Sequence, residues 1–269
     1  MRRTRHSAHT MDIAYTIAGF SVGAIVGLTG VGGGSLMTPL LVLMFGINPS
    51  VAVGTDLLYA AVTKAGGTVV HGLKGTVDWT VTRRLASGSI PASALTLVTL
   101  GYFAPGGIGG ATAVIKVALG IALLLTAMAI VFRKHIQAFA LARSAGKENP
   151  RRTAVLTVLT GIVLGVLVSI SSVGAGALGV SALFFLYPRL PTLRIVGSDI
   201  AHAVPLTLVA GIGHWFLGSV DWSLLGSLLI GSLPGIWLGS HVSTRVPDRV
   251  LRPILATMLV LVGSKLIAA

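Results

Sequence analysis

Polar positions are scarce along this chain and fall in narrow bands. Between them lie ten apolar stretches, at residues 13–28, 36–45, 51–70, 85–103, 111–132, 154–170, 177–187, 195–217, 224–242 and 250–268. A helix that crosses a bilayer core of about 30 Å needs about 20 residues at 1.5 Å each. Six stretches reach or approach that length, whereas those at 36–45 and 177–187 are too short. Each short stretch follows a glycine-rich break, Gly30-Val31-Gly32-Gly33-Gly34 in one case and Gly174-Ala175-Gly176 in the other. The pattern predicts that each short stretch and its predecessor form one broken helix or a re-entrant hairpin. Backbone without helical hydrogen bonds is tolerated at membrane depth only where protein buries it or water reaches it.

The chain also repeats itself. A shift of 143 residues lays Gly54-Thr55-Asp56 on Gly197-Ser198-Asp199, His71 on His214, and Val77-Asp78-Trp79 on Val220-Asp221-Trp222. Gly88-Ser89-Ile90-Pro91 falls on Gly231-Ser232-Leu233-Pro234 at the same shift. Across residues 53–91 this gives 13 identities in 39 positions without a gap, and apolar composition alone would not align Asp, His, Trp and Pro together. The two glycine breaks align at a shift of 142. The expected fold is therefore an all-α polytopic membrane protein of two homologous repeats. Each repeat holds a Gly-broken helix or re-entrant hairpin plus three transmembrane helices.

The expected divisions are a basic N-terminal extension at 1–10, a first transmembrane repeat at 11–132, a basic cytoplasmic linker at 133–153 and a second transmembrane repeat at 154–269. Met1 and Met11 both stand as candidate starts, and no cleavable signal is evident behind Arg2-Arg3-Thr4-Arg5-His6. If each hairpin returns to its starting side, the repeats are inverted and most arginines outside the tail face the cytoplasm with the linker. If each broken segment crosses once, the repeats are parallel and several arginines break the positive-inside bias. Inversion is the favoured expectation.

Composition narrows the class. Hydrophobic residues make up 54% of the chain and charged residues 10%, against about 25% charged in soluble domains. So few charges could not cover the surface of a water-soluble enzyme of this length. The formal charge of +13 fits loops beside an anionic leaflet better than nucleic acid. There is no cysteine, which removes thiolate metal sites and thiol nucleophiles. Neither a cofactor nor a metal is expected. A multi-pass place in a cell membrane, that of a bacterial plasma membrane, is.

The run from Gly27 to Ser35, then Thr38-Pro39, then Ala52-Val53-Gly54-Thr55-Asp56, resembles the TauE/SafE family of sulfite exporters. So does the second-half echo at Ser172–Gly176 and Gly197-Ser198-Asp199. The resemblance covers nearly the whole chain from Met11. It implies export of small sulfur-containing anions, such as sulfite or organosulfonates, without ATP hydrolysis. It does not specify one substrate.

Candidate site residues follow from the breaks and from the few buried charges. Thr29, Gly32, Gly33, Gly34 and Ser35 in the first break, and Ser171, Ser172, Gly174 and Gly176 in the second, are read as substrate-binding. Glycine permits close backbone approach, and the N-terminus of the helix that follows presents N–H groups and partial positive charge to an anion. Close packing of helices through small residues is the competing explanation. Lys64 lies deep in an apolar stretch, where it suits an anion path, although a structural pair with Asp56 would also account for it. Asp56 and Asp199 are repeat equivalents, read as proton-coupling or structural groups, with N-capping as the alternative. His202 follows Asp199 by three residues on one helix face. His71 and His214 more commonly would be packed or interfacial side chains. Asp78 and Asp221 are expected to cap helices beside interfacial tryptophans. Gly174–Gly179 matches G-x-G-x-x-G, but no strand–helix–strand context supports a dinucleotide.

The expected activity is that of a secondary transporter exporting a small anion by alternating access between the repeats. The expected partners are that anion and the lipid bilayer, with no nucleic acid. A homo-oligomer is left open. The rival readings are an intramembrane enzyme, for which no HExxH or GxSxG motif is present, and a membrane scaffold protein without transport activity.

Overall fold

The computed structural model describes residues 3–29, 34–103, 112–143, 149–242 and 248–268. These residues form ten helices and no strand: α1 (Arg3–Thr29), α2 (Gly34–Met44), α3 (Pro49–Leu73), α4 (Trp79–Phe103), α5 (Thr112–Arg143), α6 (Pro150–Ser171), α7 (Ala177–Leu186), α8 (Thr192–Phe216), α9 (Trp222–Val242) and α10 (Asp248–Ala268). Four of them, α4, α5, α6 and α8, are long and apolar enough to cross a membrane. The chain is an all-α membrane protein. The basic segment after Phe132 is largely helical where described. Arg133–Arg143 prolongs α5, and Pro150 already opens α6.

Local sequence sets the helix starts. Asn48 and Asn149 each cap a helix whose first residue is proline, a residue that fits there because its missing N–H would have no intrahelical partner. The Asp78 carboxylate accepts from the N–H groups of Thr80 and Val81, and that of Asp221 accepts from Leu224, so both cap as expected. Prolines lie inside helices as well, Pro91 in α4 and Pro234 in α9 among them, both at exposed positions.

The long helices pair across the chain's midpoint: α1 with α9, α4 with α6, α3 with α8, and α5 with α10. Glycines make this possible. A Cβ at Gly19 or Gly23 of α1 would run into the α9 backbone at Leu228 and Ser232. A Cβ at Gly161 or Gly165 of α6 would run into the α4 backbone at Leu85 and Ser89. In lipid, where burial supplies little drive between helices, such close backbone approach is a main source of packing energy. The apolar core sits between these pairs, with Met37, Leu41, Tyr59, Leu119 and Leu228 in its largest cluster.

The second glycine break is a hairpin. Helix α6 ends at Ser171, and Ser172 adopts a left-handed conformation with φ 58°. Gly174 and Gly176 have φ 124° and 132°, a region that side-chain-bearing residues rarely adopt. Helix α7 then runs back. The Tyr187 hydroxyl at its end lies 2.8 Å from that of Thr157, about four turns before Ser171 in α6. The same hydroxyl accepts from Arg84 of α4 at 3.3 Å. Ten residues of α7 span only about 15 Å, half of a membrane crossing. The turn at 172–176 is therefore buried deep between other helices. Of the first break, Gly32 and Gly33 lie outside the described residues. Thr29, Gly34 and Ser35 are described only as the ends of α1 and α2.

Candidate functional site

Helix α3 grips the second break at two points. Asp56 is wholly buried, and one carboxylate oxygen accepts hydrogen bonds from the Thr38 hydroxyl of α2 and, at 2.9 Å, from the Ser172 hydroxyl. Two turns further on, the Lys64 ammonium donates to the Ala175 carbonyl oxygen at 3.0 Å. The chain between Ser172 and Gly176 is thus fastened at its left-handed turn and again near its end. Ser171 acts on the same turn from within: its hydroxyl donates to Leu167 O at 2.6 Å and accepts from Val173 N at 3.2 Å. Four of the residues expected to bind substrate, Lys64, Ser172, Gly174 and Gly176, are therefore brought together, with Ser171 beneath them.

Capping does not explain either aspartate. The side-chain cap of α3 is Asn48, and Asp56 lies two turns inside the helix. Asp199 is likewise internal to α8, which begins after Pro191. The alternative of a direct Lys64–Asp56 ion pair is also not what forms, because Asp56 is held by hydroxyls and Lys64 by a carbonyl. Lys64 is still near enough to Asp199 and Asp56 for their charges to act on it, and near enough to act on His202.

Asp199 and His202 lie one turn apart on α8, and both are buried. The His202 ring accepts from or donates to the Ser89 hydroxyl of α4 through Nε2 at 2.8 Å. Its Nδ1 is buried and unpartnered, and so is Asp199 Oδ1. Helix α7 comes close here only because residue 179 is glycine: a Cβ there would collide with that aspartate oxygen. Tyr59 of α3 is the repeat counterpart of His202, and its buried hydroxyl also lacks a partner, as does Asp56 Oδ1. His214 has a structural role. It contacts the Ser169 carbonyl through Nε2 at 2.8 Å and the Ser219 hydroxyl through Nδ1 at 3.1 Å. His71 mirrors the latter contact with Thr76 at 2.8 Å.

Sequence reasoning passed over Thr38, Ser89 and the Ala175 carbonyl. Thr38 stands beside Pro39 in the motif that carries the family resemblance, and Ser89 lies within the aligned Gly-Ser-x-Pro of the two halves, so both had a signal. The Ala175 carbonyl had none, since a backbone acceptor is written in no residue type.

Chemically, the arrangement places one buried cation and one uncapped helix start at a single break. No side chain caps α7 at Gly176, and of its first N–H groups that of Gly179 is taken by the Gly174 carbonyl at 3.1 Å. A cation held by a neutral carbonyl can exchange that partner for an anionic oxygen and gain a stronger, charge-assisted bond.

The family model described as "Sulfite exporter TauE/SafE" matches residues 15–266. A curated "Probable membrane transporter protein YjnA" of Bacillus subtilis (strain 168) is 40% identical over 265 residues, covering 96% of this chain and 100% of its own. A "Probable membrane transporter protein" of Xylella fastidiosa (strain 9a5c) is 29% identical over 235 residues, covering 85% of this chain and 83% of its own. YdhB of Bacillus subtilis (strain 168), described in the same words, is 27% identical over 239 residues, covering 87% of this chain and 91% of its own. No solved structure matches the chain.

Proposed function

The chain belongs to the TauE/SafE sulfite exporter family and is a membrane transporter, and we propose that it exports a small anion, sulfite or an organosulfonate, by alternating access at a site between two repeats. The observation that carries this reading is Lys64, a buried lysine whose ammonium ends on the carbonyl of a glycine-flanked break. A charged side chain at membrane depth is costly, about 2.5–3.5 kcal/mol on insertion scales, and is retained where it serves a pathway or a partner. Ala175 O is a weak partner for such a charge. An anion arriving at the break replaces it, with the N-terminal N–H groups of α7 completing the cradle. On the same reading, Gly32, Gly33, Gly34 and Ser35 of the first break are further contacts for the anion.

Two further observations favour inverted repeats. The α6–α7 hairpin brings Tyr187 back to Thr157, so this segment returns toward its starting side. Arg84 reaches the same Tyr187, and Arg133 stacks over Phe184 at 4.8 Å, so basic residues gather at that end as the positive-inside bias asks. An anion leaving a cell that is negative inside gains about 2.3 kcal/mol per charge per 100 mV, which drives export without ATP.

The test is flux from proteoliposomes of the purified chain loaded with sulfite, sulfate, thiosulfate or an alkanesulfonate. Saturable efflux of sulfite or the sulfonate, accelerated by an inside-negative potential, is expected. Efflux that is equal for all four and insensitive to potential contradicts the proposal.

A further inference from the structure

The hairpin leaves a gap on the membrane-facing side. Helix α7 lies behind α5 and α6 here, and an open groove runs between those two helices with Leu178 and Ala182 of α7 at its floor. The groove has a volume of about 720 Å³, and its wall is almost wholly apolar, with Met128 and Phe132 from α5, Leu159 and Val163 from α6, and Leu178 and Ala182 from α7. Met128, Phe132, Leu159 and Val163 are each about half exposed.

One end of the groove is basic. On α6 the lining residues Leu156, Thr160, Val163 and Leu167 recur at helical spacing. One turn before Leu156 on the same face is Arg152, exposed and next to the exposed Arg151. Across the groove, Phe132 is followed by Arg133, whose guanidinium rests 4.8 Å above the ring of Phe184 in α7, and by the exposed Lys134. An apolar slot flanked toward one end by arginines and a lysine has the two-part chemistry of an anionic phospholipid: acyl chain below, phosphate above.

We propose that the groove between α5 and α6 is a binding site for an anionic phospholipid of the cytoplasmic leaflet. An acyl chain lies in the groove against Leu178 and Ala182 of α7. The phosphodiester is held by Arg151 and Arg152. Because α7 carries the break that meets Lys64, the lipid supports the transport site from its membrane side, although the site itself stands whether or not the anion is sulfite.

Delipidated full-length protein in neutral detergent, mixed with dioleoyl phosphatidylglycerol or dioleoyl phosphatidylcholine, tests this by native mass spectrometry and thermal melting. Phosphatidylglycerol should be retained at least fivefold more than phosphatidylcholine and should raise Tm more. The double variant Arg151→Gln/Arg152→Gln, altered only at exposed positions, should lose that preference while melting normally without lipid. Val163→Trp, which fills the groove, should lose retention of both lipids. Equal retention of the two lipids, a preference unchanged in the arginine variant, or equal stabilisation by inorganic phosphate alone would overturn the proposal. A dimer that forms through the groove and disappears in Val163→Trp would overturn it as well, and would assign the face to a second copy of this chain.

Discussion

Asp56 and Asp199 stand 143 residues apart at matching places in the two halves, and they are held in opposite ways. Asp56 takes two hydroxyl hydrogen bonds, from Thr38 and Ser172. Both keep Oδ1 buried without a partner, but Asp199 takes no such hydroxyl bond and has Gly179 packed against that oxygen. The position of Thr38 in the first half is taken by Val180 in the second, when the breaks are aligned, so the second half has lost the donor. Lys64 has Thr207 as its counterpart, and Thr207 merely returns its hydroxyl to Ala203 O of its own helix at 2.8 Å.

The surrounding scaffold is far more even. Ser198 accepts from the N–H of Asp78 at 2.8 Å, and Thr55 accepts from the N–H of Asp221 at 3.1 Å, so each half caps its neighbour's turn by the same device. Gly54 faces the Ser219 carbonyl, and Gly197 faces that of Thr76. What the two halves share holds helices together. What they do not share includes the Thr38 donor and the Lys64 charge, which end on Asp56 and on the second break. The proposed site for a single small anion needs one cation, which Lys64 supplies and Thr207 does not.

That contrast can be broken experimentally. The largest effect is expected from Asp56→Ala, which leaves two buried hydroxyls without an acceptor and should destabilise the protein by about 2–4 kcal/mol. Asp199→Ala removes a carboxylate oxygen that has no partner, so its loss should be about 1 kcal/mol or less. Thermal melting of both variants in detergent compares them directly. Equal losses would mean that the halves hold their carboxylates alike.

Next come Gly88→Ala and Gly231→Ala. Each adds a Cβ against the backbone of the facing helix, at Val158 and Thr16 respectively. Both should lose about 1–3 kcal/mol, and by similar amounts, because they probe the shared scaffold. A large difference between them would show that the scaffold is as uneven as the site.

Much of this was legible in the sequence, and the reason differs by element. Ten apolar stretches became ten helices, because membrane length and apolar runs are local properties. The second break was legible because glycine at 174 and 176 has a backbone meaning that no other residue has. Lys64 and Asp56 stood out as charges in apolar surroundings. Their partners did not. Ser172 lies 116 residues from Asp56, and Ala175 lies 111 from Lys64, so only the tertiary fold brings them together. The capping expectation failed for Asp56 and Asp199 because helices α3 and α8 begin at Pro49 and Thr192, about two turns before each aspartate.

The smallest effects should come from the reciprocal caps. Thr55→Val and Ser198→Ala each remove one acceptor from a backbone N–H, at a loss of about 1 kcal/mol. The two values should agree within about 0.5 kcal/mol, and the double variant should be close to additive, as for separate sites. Melting of the two single variants and the double variant checks both statements.

The most direct measurement of the central claim is sulfite efflux from proteoliposomes of Lys64→Met beside wild type, with Tm recorded for the same preparations. Methionine keeps the apolar stem and removes the charge. The account predicts efflux reduced at least tenfold, with Tm unchanged or raised, because a buried charge with only a carbonyl for partner contributes little to folding. Efflux that persists in Lys64→Met, or that falls only in proportion to a lower Tm, would contradict the account and leave Lys64 as a fastening for the hairpin alone.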